Sequence, residues 1–148
     1  MEQRRSLNGG ADYVEVTIGV VEGTYVRLRS DVAHQGRPWF AFSAELHGIG
    51  LDASVGVLEY GSTQDLGSFL SDLAESWRGW EGTKTYNSLE YDLTVEARRE
   101  GGHNVLRFTV RAGTSQSWTA TLVVMLEAGE EMANVAREVS DLIARCRS

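Results

Sequence analysis

The period of the apolar residues most constrains what this chain can fold into. Val14, Val16, Ile18 and Val20 alternate with Glu15, Thr17 and Gly19. Period two means a strand with one buried face. Val26 and Leu28, then Phe40, Phe42, Ala44 and Leu46, repeat the pattern after "VEGT" and "HQGRP". A fourth strand is expected over "ASVGVLEY", residues 53–60. The period then lengthens. Leu66, Phe69, Leu70, Leu73 and Trp77 fall at i, i+3, i+4, i+7 and i+11, one stripe of an amphipathic helix. Ser62 is the expected N-cap, with Asp65 three residues on, and Gly79 the expected stop. Trp77, in phase with the stripe, is expected in the core.

Alternation returns at Leu89, Tyr91, Leu93, Val95 and Ala97. "REGGHN" is a hairpin signal. Leu106, Phe108 and Val110 follow, then "WTATLVVMLE", residues 118–127. Met132, Val135, Ala136, Val139, Leu142 and Ile143 make a second helical stripe, with acids in its first turn and arginines in its last. The expected order is ββββα-βββα. It predicts an α+β, two-layer fold: an antiparallel sheet of six to seven strands with two helices on one face. "VGVLEYG" (55–61) lines up with "VVMLEAG" (123–129), which suggests an internal duplication. The alternative is that two strand-to-helix turns share common chemistry. The other sheet face would carry Glu15, Arg27, Arg29, Ser43, Glu45, Glu90, Asp92, Glu96, Arg107 and Arg111. It would be either solvated and ion-paired or curved around a ligand.

With 148 residues the chain is long enough for one domain with a sizeable core. Residues 1–12 read as a flexible N-terminal tail and 13–148 as a single domain. The lone cysteine, Cys146, excludes an internal disulfide and reads as a surface thiol. No secretory signal or membrane-length apolar run is visible, so a cytoplasmic location is expected, with no membrane. A net charge of −7 argues against nucleic acid as a partner.

No set of residues assembles chemistry. His34, His47 and His103 lack metal-ligand spacing, so no metal or other cofactor is expected. Ser62 stands where a nucleophile elbow would place a serine, but capping explains it better. Glu90, Asp92 and Glu96 alternate on one strand and read as its outward half. The remaining feature is "SWRGWEGTKTY", residues 76–86. Trp80 and Tyr86 lie off any period with Arg78 nearby, and aromatics with arginine are residue types that anchor interfaces. Arg78, Trp80 and Tyr86 are therefore the candidate interaction surface. A connection covering a sheet edge would use the same residues.

"WRGWEG", "SLEYDL", "GGHNVLRFTV", Trp118 and "LEAGEEM" together resemble the domain of unknown function 6228 family of small actinobacterial proteins, from about residue 40 onward. That resemblance implies no activity and no catalytic residues, and by analogy an accessory or immunity-like role. The expected function is a non-catalytic protein-interaction module whose partner is another protein. The alternative is a small-molecule binder or enzyme with a pocket between sheet and helices, lined by Trp118, Tyr91 or Phe108. Homodimerisation through an edge strand is a third expectation, with Val14 to Val20 as the edge.

Overall fold

The structure is a computed structural model that describes residues 3–5, 14–20, 22–30, 38–60, 64–113 and 117–147. The chain runs β1(Gln3–Arg5), β2(Val14–Gly19), β3(Tyr25–Ser30), β4(Trp39–Gly48), β5(Leu51–Tyr60), α1(Leu66–Glu75), β6(Lys84–Asn87), β7(Leu93–Glu100), β8(His103–Arg111), β9(Thr119–Glu127) and α2(Glu130–Arg147). The expectation of one six-to-seven-stranded sheet is corrected. There are two antiparallel meanders, β1-β2-β3-β4-β5 and β6-β7-β8-β9. Helix α1 and the loop after it lie between β5 and β6, and those two strands do not pair.

Further expectations change. Gln3–Arg5, placed in the flexible tail, pairs with Val14–Val16. This covers the Val14–Val16 part of the expected edge and leaves Thr17–Gly19 without a partner strand on that side among the described residues. Ser62 lies outside the described residues, and Asp65 caps α1 by accepting the Ser68 N–H at 2.7 Å. Strand β6 escapes the sequence pattern because Tyr86 is its one inward apolar residue. Strand β7 starts at Leu93, four residues late. Ser88 folds the preceding segment into a turn, donating its N–H to Leu93 O and accepting the Leu93 N–H on its hydroxyl. Tyr91 sits there at φ 61°, a left-handed conformation uncommon for a tyrosine.

The two inner sheet faces and both helix stripes form one core. Phe40, Phe42, Leu70, Leu73, Leu106, Phe108 and Val139 are all closed to solvent within it. Helix α2 packs against β2, β3, β4, β9 and α1, and the second sheet approaches the first through β8 and β9. The hairpins are set by glycine where it is required. A Cβ on Gly19, at φ +113°, would lie 2.5 Å from Thr24 O. Gly101, at φ +60°, makes the predicted two-residue β7–β8 turn.

Each half is thus a four-stranded meander ending in a helix, β2–β5 with α1 and β6–β9 with α2. The sequence match between 55–61 and 123–129 does not superimpose side-chain directions. In β9 Leu126 is buried and Glu127 exposed, while in β5 Glu59 is buried and Leu58 half-buried. The repetition is one of topology, with facing reversed at the matched positions.

Candidate functional site

The structure exchanges the roles expected of the tryptophans. Helix α1 ends at Glu75, and Ser76 leaves the helical basin at ψ 40°. Gly79 N–H then returns to Ser76 O at 2.8 Å, which turns Trp77 off the helical stripe. Trp77 is 57% exposed, with the Arg78 guanidinium 5.0 Å over its ring. Trp80 packs against the core under the Lys84 ammonium, 5.0 Å over its ring. Tyr86 is buried. Of the three residues expected to form one surface, Arg78 is exposed, Trp80 is largely covered, and Tyr86 is interior.

Tyr86 belongs to a buried polar cluster that the sequence did not single out. Its hydroxyl donates to Glu59 Oε2, and the first N–H of α1, from Leu66, reaches the same oxygen at 3.3 Å. Glu59 is 1% exposed. Burial pushes its pKa up to about 7, against the opposing pull of the Tyr86 and Leu66 hydrogen bonds. The phenol is raised too, by burial first and the neighbouring Glu59 charge second. Beside this pair, Arg147 holds Asp65 at 2.9 Å and lies 4.9 Å over the Phe40 ring. The cluster ties the end of β5, the start of α1, β6 and the end of α2 together. A cleft between the helices is lined by Asp65, Ser68, Ser140 and Arg147, among others, and reaches neither Glu59 nor Tyr86. A raised carboxyl without access to substrate is a fold-anchoring group. Its sequence signal is phase: Val55, Val57 and Glu59 share one facing.

The other carboxylate set is dispersed. Glu90 is in the Ser88 turn, Glu96 faces outward on β7, and Asp92 is buried, its carboxyl raised by burial and then by Glu90. Trp118 and Tyr91 are exposed while Phe108 is core, so they do not converge on one pocket. Cys146 is buried on α2, contrary to its reading as a surface thiol. On the outer face of the first sheet, Glu15 meets Arg29 at 2.8 Å across the β2–β3 register. That face is ion-paired.

The outer face of the second sheet is different. Val105, Val123 and Met125 lie together there, with Arg98, Arg107, Glu96 and Glu100 around a depression of about 380 Å³. Met125 is 57% and Val123 42% exposed. An apolar patch flanked by mixed charge has the composition of a protein-contact surface.

One buried group serves neither surface nor cluster. Asn104 points into the core from β8, and neither amide atom finds a hydrogen-bond partner among the described residues. Leaving such a group unmet costs about 1–3 kcal/mol. Asn104→Leu is expected to raise stability by about 1 kcal/mol or more in urea denaturation. A loss of stability would show that the amide is satisfied in solution.

No curated protein and no solved structure matches this chain. Among the described residues, no helix is long and apolar enough to cross a membrane. The model of a family of unknown function, DUF6228, matches residues 19–145, and the chain belongs to that family.

Proposed function

We propose that this chain is a non-catalytic protein-interaction module, accessory or immunity-like, whose contact surface is the outer face of β7, β8 and β9. The exposure of Val123 and Met125 on the β9 side of that face carries the reading. Apolar side chains grouped inside a polar rim are what a partner desolvates. The two charged groups closest in register, Glu96 on β7 and Arg107 on β8, oppose each other and leave the centre neutral. Trp77 with Arg78 is a second exposed aromatic contact, separate from this sheet face in the sequence of elements.

The test is a photo-crosslinking residue placed at Met125 in cells of origin, with Asp141, an exposed position on α2, as the control. Adducts to another protein at Met125 alone, lost with Val123→Lys while the melting temperature holds, are expected. Equal labelling at both positions would overturn the choice of surface.

A further inference from the structure

We infer that the free edge of β9 pairs, antiparallel and about a two-fold axis at Val123, with β9 of a second copy of this chain. The inference rests on the reading of the β7–β9 face as a contact surface and names one occupant of its edge.

The backbone directions follow from register. Among the described residues, strand β9 is the last in its sheet, bonded to β8 alone. Ala112 N–H donates to Trp118 O at 3.1 Å, and Ala128 N–H donates to Gly102 O at 2.9 Å. Both contacts continue the ladder that pairs Val110 with Ala120, Phe108 with Leu122 and Asn104 with Leu126. Hydrogen-bonded pairs alternate along an antiparallel ladder. Ala120, Leu122, Val124 and Leu126 therefore spend their N–H and C=O groups on β8. Thr119, Thr121, Val123 and Met125 direct theirs away from it, along the sheet edge. Glu127 provides the independent check: its N–H turns away from β8 and donates to Glu131 Oε1 at 2.6 Å.

Those same alternate residues carry the exposed side chains, so free backbone and exposed apolar surface coincide on one strand. The usual protections are missing from it. Strand β9 is nine residues long, without proline or lysine, and its one charge is the terminal Glu127. The other edge strands are short or, for β5, engaged at one end. Strand β1 has three residues and β6 four, with Lys84 on it. Strand β5 gives Leu58 O to the Leu89 N–H of the Ser88 turn.

Charge favours a second copy as the occupant. With Val123 on the axis, Thr121 opposes Met125 of the second copy, and Thr119 opposes Glu127. No like charges meet. The cross-strand neighbour of Thr119 on β8 is Arg111, whose guanidinium reaches toward β7, to Tyr91 O and Thr94 Oγ1, so the group facing each Glu127 is the uncharged Thr119. The product is one continuous sheet from two chains, with the two Val123–Met125 patches side by side.

Sedimentation velocity over a rising concentration series is the first test, with a dimer expected at high micromolar protein. Val123→Lys puts like charges on the axis from an exposed position and should weaken the dimer at least tenfold while the circular dichroism melt holds. Register is tested by cysteine. Val123→Cys should form an intermolecular disulfide under mild oxidation, and Thr119→Cys should not, because only Val123 meets itself. A wild-type protein that stays monomeric, a dimer indifferent to Val123→Lys, or crosslinking through Thr119→Cys overturns the inference. Monomer in solution together with Met125 adducts to a different protein would end self-pairing and leave the interaction module standing. An absence of any Met125 adduct would remove the module reading itself.

Discussion

Trp80→Ala is expected to destabilise the fold by about 3 kcal/mol, and Trp77→Ala by no more than about 1 kcal/mol. Both indoles stand in one six-residue run, "WRGWEG", yet the chain reverses between them. Trp77 lies past the last turn of α1 with most of its surface in water, so truncation removes little buried area. Its stacking with Arg78 is a solvent-exposed cation–π contact, worth about 0.5–1 kcal/mol at most. Trp80 follows Gly79, whose positive φ brings the loop down onto Arg99 and lays the indole against the core. Removing that ring opens a hole beside Lys84 and uncovers apolar surface. Parallel urea denaturation of the two variants measures the difference. Equal losses would mean that Trp77 is held against the fold in solution.

The strands and helices with one clean apolar phase were legible in the sequence: β2 to β5, β8, β9, α1 and α2. Periodicity failed wherever a turn borrowed a strand's pattern. Leu89 and Tyr91 alternate in phase with Leu93, but the Ser88 hydroxyl and backbone close a turn that phase alone does not register. Trp77 stays in helical phase one turn beyond the helix for the same reason. Sheet count was hidden too, because period two reports one buried face and not which strand covers it. The buried cluster was visible in part. Glu59 shares the facing of Val55 and Val57, but a count of apolar alternation passes over a carboxylate in that phase. Tyr86 drew notice as an aromatic off any period, and its inward direction depends on a strand of four residues paired to β7.

Glu59 makes the second large prediction, a pH dependence with a defined sign. In the unfolded chain its carboxyl titrates at an ordinary 4.5, and in the fold at about 7. Below pH 4.5 both states hold the proton, and the group imposes no penalty. Between 4.5 and 7 the unfolded chain releases the proton while the folded chain keeps it, so stability falls as pH rises. Above about 7 both states are ionised, and the loss levels off. At 1.36 kcal/mol per pH unit, the full swing is about 3 kcal/mol. Glu59→Gln keeps an acceptor oxygen for the Tyr86 hydroxyl and the Leu66 N–H but cannot ionise. The difference in unfolding free energy between variant and wild type is therefore expected to move by about 3 kcal/mol in the variant's favour from pH 4 to pH 8. Tracking that difference across the range cancels any fixed cost of burying the amide, and leaves the contribution of the one proton. A difference that stays constant with pH would mean that Glu59 titrates in the fold as it does in the unfolded chain, with water reaching the carboxylate beneath α1.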